Sequence, residues 1–209
     1  MDQYLDFWNL MAYDFAGSWD SVAGHQANLF RSHDNPTCTP FNIEEAVTYY
    51  MTTGQIAPSK IVLGMPIYGR AFHNTDGHGK PYSGVGAPQT PGSWEAGVWD
   101  YKALPLAGHT EHFDPNVVAS WSYHPGQKVV ISYDTKEVAG HKARYIAEKG
   151  LGGGMWWEAS ADKSGGQSLI CTVATTLGGN DYAKLDTSEN LLRYPGSKYE
   201  NLRNQFPAN

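Results

Sequence analysis

Three stretches of this chain pass from apolar runs into side chains that can do chemistry. Phe7–Ala12 leads into Tyr13 and Asp14, Lys60–Ile67 leads into Tyr68 and Arg70, and Gly150–Met155 leads into Trp156, Trp157 and Glu158. A tyrosine hydroxyl donates one hydrogen bond without carrying charge. A carboxylate accepts several, and an arginine donates through a rigid fork. An indole offers a flat apolar face with one polar edge. Aromatics beside polar groups suit sugar rings, which stack on flat faces, although the same aromatics also serve as core.

The elements that must position these groups follow from pattern. Apolar runs this short are buried strands. Strands whose bodies are core and whose ends are polar and functional are what a parallel barrel makes, with its site at the C-terminal ends of the strands. After the first strand, Phe15–Asp20 is rich in small residues and reads as a loop, and Asn35-Pro36 marks a turn. A helix is expected from the Asn42 cap, with Glu44 and Glu45 in its first turn, Ala46, Val47, Tyr50 and Met51 on its apolar face, and Gly54 as its stop. Strand, helix, strand argues for a parallel sheet. From Ala71 to Ser132 glycine and proline are dense, and short strands are expected at Gly97–Tyr101, Ala119–Tyr123 and Lys128–Tyr133. This reads as an inserted α+β module. Asp134 or Thr135 then caps a helix to about Lys149, with Ala139, Ala143, Ile146 and Ala147 as its stripe and Gly150 as its stop. Strand Leu151–Trp157, a helix over about Gln167–Leu177 and a polar tail Asn180–Asn209 complete the chain.

Composition removes several classes of function. The formal charge of -6, with no basic cluster, argues against nucleic acid and against a membrane surface. No run reaches transmembrane length, and Met1 leads into a mixed polar segment rather than a signal peptide. Two cysteines, Cys38 and Cys171, allow one disulfide but no scaffold and no CxxC pair. His25, His73 and His78 lack metal-ligand spacing, so no metal and no cofactor are expected. Three strands and three helices cannot close an eight-stranded barrel. A three-stranded parallel sheet would leave two free edges and a bare face. The sequence therefore reads as the C-terminal part of a larger domain, with Met1 as an internal methionine or a mistaken start.

Met11-Ala12-Tyr13-Asp14, Gly64–Arg70 and Gly154–Glu158, in this order and with an insertion after the second, resemble the glycoside hydrolase family 18 chitinases, particularly the fungal ones. The resemblance runs from Met1 to about Gly179. It implies a TIM (β/α)8 barrel of the α/β class, here only strands six to eight with their helices, plus an α+β insertion walling one side of the substrate groove. It divides the chain into barrel residues 1–70, insertion 71–134, barrel residues 135–180 and a tail 181–209. The family's Asp-x-x-Asp-x-Asp-x-Glu run of strand four is absent, as is the Ser-x-Gly-Gly run of strand three. The proton-donating glutamate is thus expected outside this chain.

The family's chemistry is substrate-assisted: the substrate's acetamido carbonyl attacks its own anomeric carbon, and water opens the oxazolinium ion. By resemblance Tyr13 holds the acetamido oxygen and Asp14 contacts the sugar and the neighbourhood of the acid; these are the catalytic candidates. Met11, Trp19, Tyr68, Arg70, Glu95 and Trp157 are the substrate-binding candidates, Trp157 as floor and Trp19 as a platform on the leaving-group side. Four of them have a plainer reading: Tyr13 and Met11 as core, Asp14 as a helix cap, Arg70 as the partner of a buried acid. Trp156 is expected to face away from Trp157. So is Glu158, unless the cis peptide that the family often has at Trp157–Glu158 changes that. The implied function is retaining hydrolysis of β-1,4-linked N-acetylglucosamine polymers by a monomeric, extracellular enzyme acting on chitin or chito-oligosaccharides. The alternative is a chitinase-like protein that binds the same ligand without hydrolysis. The chain alone is expected to be inactive and loosely packed.

Overall fold

The computed structural model describes residues 1–189 and 192–204. Strands β1 (Trp8–Leu10), β2 (Ile61–Pro66) and β8 (Gly153–Trp157) form a parallel sheet in the order β1-β2-β8. The register sets Leu10 beside Leu63, Met65 beside Trp156 and Pro66 beside Trp157. Side chains alternate between faces along a strand. One face carries Leu10, Leu63, Met65 and Trp156, which pack into the main core. The other carries Asn9, Met155 and Trp157, and Trp157 is 61% exposed. Trp156 and Trp157 thus separate as their alternation requires. Gly64 makes room on this second face: a Cβ there would lie 2.5 Å from the Leu10 carbonyl oxygen and 3.0 Å from the Tyr13 ring.

Helix α1 (Ile43–Thr52) follows the Asn42 cap, whose side chain accepts from the Glu45 amide, and it buries Ile43 and Val47. Helix α2 (Lys136–Lys149) is capped by Thr135 and stopped by Gly150, whose φ of 65° is left-handed. Its buried face differs from the expected stripe. Ala147 is exposed, while Val138, Lys142 and Tyr145 are buried. The reason is that α2 packs on two sides, and the Lys142 ammonium is neutralised by Asp134 at 2.5 Å. Helix α3 (Leu169–Gly178) packs against α2 in the same core, and a short α4 (Glu200–Arg203) lies in the tail. Residues 190–191 and 205–209 of that tail lie outside the described residues.

A second sheet is antiparallel, in the order β4-β3-β7-β6-β5: β3 (Tyr68–Phe72), β4 (Val98–Asp100), β5 (Thr110–Asp114), β6 (Ala119–His124) and β7 (Val129–Ser132). The expected α+β module differs from this in two ways. Residues 71–134 contain strands and a 3-10 turn, Tyr101–Ala103, but no α-helix, because glycine and proline interrupt every helical run. The sheet also begins at Tyr68, before the expected boundary at residue 71; the strand expected over Lys60–Ile67 runs from Ile61 to Pro66, and Ile67 parts it from β3. Both cysteines are free: Cys38 is buried and Cys171 exposed, so the disulfide their count allowed is not formed.

Candidate active site

Met11, Tyr13, Asp14, Tyr68, Arg70, Glu95 and Trp157 line a single groove of about 370 Å³, a volume typical of small-molecule clefts. They arrive from both sheets. Tyr13 and Asp14 follow β1, Trp157 ends β8, Tyr68 and Arg70 lie on β3, and Glu95 precedes β4. Trp19, the remaining candidate, is not part of the groove lining; its ring is stacked on the Arg70 guanidinium at 4.8 Å. The surrounding protein thus holds Trp19 beside the groove through Arg70.

Asp14 is the centre of the polar set. Its Oδ1 accepts from the Tyr68 hydroxyl at 2.6 Å and from Arg70 Nε at 2.6 Å. Oδ2 takes no donor among the described residues. The Asp14 backbone sits at a φ of 61°, a region aspartate visits more readily than most residues. Burial pushes the Tyr68 phenol far above its ordinary value, and the bond to Asp14 adds to this, so it remains a donor. At Arg70 burial works against the charge, but Asp14 outweighs it and the guanidinium is held more firmly protonated. Arg70 is thus paired, with an acid that is itself partly exposed, and it also lines the groove.

Tyr13 is 8% exposed, meets the Tyr68 ring edge-on at 6.2 Å, and its hydroxyl has no hydrogen-bond partner among the described residues. Burial, then the Asp14 charge, raises its pKa, which keeps the proton available for donation. Gln26 holds the wall from behind. It is fully buried, and its amide donates to the Tyr68 carbonyl at 2.7 Å and the Ser132 carbonyl at 3.0 Å.

The chain resembles known proteins over most of its length. The model for "Glycosyl hydrolases family 18" matches residues 1–162. The chain belongs to that family. It is 51% identical over 206 residues to "Endochitinase 1" of Metarhizium robertsii, covering 99% of this chain and 46% of that protein. It is 48% identical over 203 residues to "Chitinase 1" of Aphanocladium album, covering 97% and 46%. The chain thus spans about half the length of the curated relatives it matches. Among solved structures, Ostrinia furnacalis Group II chitinase catalytic domain 2 aligns with a TM-score of 0.74 at 28% identity, over 86% of this chain and 50% of that one. A plant class V chitinase mutant from Cycas revoluta in complex with (GlcNAc)3 aligns with a TM-score of 0.70 at 28% identity, over 85% and 48%.

In this family 18 chain the groove also takes in residues that sequence reasoning did not assign. Asp100 lines it because antiparallel pairing sets Asp100 opposite Tyr68, a relation no local pattern reveals. Gln26, which supports the wall without lining the groove, carried no signal beyond being an amide in an irregular segment. Glu158 lines the groove beside Trp157, where simple alternation would turn it away; the peptide between them is cis. Its carboxylate caps the following 3-10 turn, accepting from the Ser160 hydroxyl and, at 3.1 Å, from the Ser160 amide. The Ser160 hydroxyl bond, with the amide, lowers its pKa and keeps it ionised.

Proposed function

We propose that this chain supplies the floor and one wall of the substrate groove of a chitinase, which hydrolyses β-1,4-linked N-acetylglucosamine polymers with retention. The observation that carries this reading is the convergence of Tyr13, Asp14, Tyr68, Arg70 and Trp157, drawn from both sheets, on one groove. In this reading the Tyr13 hydroxyl donates to the acetamido carbonyl as that oxygen attacks the anomeric carbon. Asp14, fixed by Tyr68 and Arg70, offers its free Oδ2 to the acetamide side of the sugar. Trp157 floors the distorted ring, and Met11 packs near the acetamido methyl. Arg70 and Glu95 bond sugar hydroxyls, and Trp19 gives a platform on the leaving-group side.

The three parallel strands are in this proposal the sixth, seventh and eighth of a TIM barrel. The antiparallel module between the seventh strand and its helix is the family insertion, and the general acid is carried by a segment outside this chain. The open second face of the sheet, with Asn9 and Trp157 exposed, supports that assignment. So does Glu158, a turn-capping carboxylate kept ionised, which suits it poorly to donate a proton.

Tyr13→Phe in a protein carrying the whole barrel tests the role of the hydroxyl. Removing one transition-state donor lowers kcat about 10²- to 10³-fold and leaves KM nearly unchanged. Unchanged turnover on a chromogenic N-acetyl-chitobiose conjugate would refute the role. Residues 1–209 alone release no chromophore above blank; robust turnover abolished by Glu158→Gln would mean the acid is Glu158 after all.

A further inference from the structure

A second cluster of chemical groups lies behind the groove. His25, Cys38 and His78 each offer a ligand atom, and the three atoms lie within 4.8 Å of one another. His25 and Cys38 are 1% and 4% exposed. Inside the cluster, His25 Nδ1 and His78 Nε2 are buried without a hydrogen-bond partner among the described residues. Buried polar atoms are normally satisfied, so two unpaired imidazole nitrogens beside a thiol require an explanation.

The backbone brings the three side chains together before any ligand arrives. The His25 amide donates to the Cys38 carbonyl at 2.8 Å. The Gly79 amide donates to the Ala23 carbonyl at 2.8 Å, and the Ala23 amide to the Lys80 carbonyl at 2.9 Å. Gly79 takes a φ of 73°, and a Cβ there would displace the Asn35 side chain, whose amide nitrogen would lie 2.2 Å away. The two segments are thus clamped at a fixed approach, and Trp121 closes one side by stacking on His78 at 4.6 Å.

We propose that His25, Cys38 and His78 bind one divalent metal ion of the zinc class, tying the segment after β1 to the loop after β3. Two imidazoles and a thiolate are the donor set that zinc accepts, with a fourth position left for water or a carboxylate. Zinc holds nitrogen at about 2.0–2.1 Å and sulfur at about 2.3 Å, which puts donors about 3.3–3.8 Å apart. The cluster closes by up to about 1.5 Å on binding. Without the ion the Cys38 thiol donates to the Asn35 carbonyl at 2.9 Å, a bond that the metal replaces. On binding, the Cys38 thiol releases its proton to solvent. The ion would also steady Gln26, the neighbour of His25 that holds Tyr68 in the groove wall.

The test is metal titration of the purified protein after exhaustive chelation, with zinc(II) and cobalt(II) as the probes. The expected result is one zinc per chain and a melting temperature raised by about 5–10 °C at roughly a hundredfold Kd. Cobalt should give a thiolate-to-metal charge-transfer band that survives Cys171→Ser and is lost in Cys38→Ser and His78→Leu. The band in the unmutated protein reads thiolate ligation even if a variant fails to fold. Absence of stoichiometric binding overturns the proposal. Binding without the thiolate band, or a band lost with Cys171→Ser and kept with Cys38→Ser, also overturns it.

Discussion

Asp14 is the residue at which the design of the groove can be measured. Asp14→Asn keeps an oxygen at the Oδ1 position and a residue type at ease at a φ of 61°. What it removes is the charge opposite Arg70. Two unit charges about 4 Å apart attract by about 4 kcal/mol at an effective dielectric constant near 20. The Asp14 side chain is 37% exposed and the Arg70 side chain 15%, so solvent screens much of that attraction. Fully exposed pairs contribute about 0–1 kcal/mol. A loss of about 1–2 kcal/mol is expected. Asp14→Ala removes more. It strands the buried Tyr68 hydroxyl and the Arg70 Nε–H, adding about 1–3 kcal/mol, and places alanine in the left-handed region for about 1 kcal/mol. Asp14→Gly removes the same oxygens without that backbone term and should fall between the two. The assay is urea or thermal unfolding followed by circular dichroism in the protein carrying the whole barrel. Equal losses for Asn and Ala would mean that the two 2.6 Å bonds do not stabilise the fold, and the reasoning would fail.

Two further outcomes rest on other parts of the molecule. Glu44 joins α1 to α2 by accepting from the Tyr145 hydroxyl and Lys149 Nζ, each at 2.7 Å. Burial acts to raise its pKa, but those bonds win and hold it below the usual 4.5. The unfolded chain therefore takes up this proton first as pH falls. The contribution, about 0.5–1 kcal/mol, is full above the unfolded value and lost as pH drops through the folded one. Unfolding free energies should show Glu44→Gln less stable than the parent near pH 7, with the difference vanishing toward pH 3. At the buried pair, Lys142→Met leaves Asp134 without its cation and costs about 3–5 kcal/mol, of which adding Asp134→Asn regains part. Denaturant midpoints of the single and double variants check this, and simple additivity would contradict it.

What could be read from sequence was what is local. Asn42, Thr135 and Gly150 announce helix ends through their own hydrogen bonds or backbone freedom, and the structure uses all three. The apolar runs before Tyr13 and Trp157 announce strands for the same reason. What could not be read depends on pairing at a distance. Residues 110–114, Thr-Glu-His-Phe-Asp, have no apolar alternation, yet they form β5 because β6 offers an edge. The apolar run through Ile67 conceals a change of sheet. Lys142 looks like a solvent residue until Asp134 is known to face it. His25, Cys38 and His78 show no ligand spacing, since 13 and 40 residues separate them, and only the clamped loops bring them together.

Ile67 explains how two sheets of different kinds make one groove. It is fully buried between β2 and β3. Its amide donates to the Trp157 carbonyl at 2.9 Å, continuing the parallel pairing beyond Pro66. Its carbonyl accepts from the Tyr101 amide at 3.1 Å, next to the antiparallel pair of Tyr68 with Asp100. One residue thus satisfies a donor toward the first sheet and an acceptor toward the second. Both groups are buried, so letting the sheets slide apart would leave two unpaired backbone groups, each costing about 1–3 kcal/mol. The floor, Trp157, is therefore referenced to the wall, Tyr68 and Arg70, through a single peptide rather than through a loop. Residues up to Arg70 inherit that reference along β3, and Asp14 receives it through its bonds to Tyr68 and Arg70. The long irregular segment that carries Trp19 and Gln26 is held by backbone bonds of its own, Ala23 with Gly79 and Lys80 and Leu29 with Val117. It also meets the groove wall directly, through the Gln26 amide on Tyr68 and the Trp19 ring on Arg70.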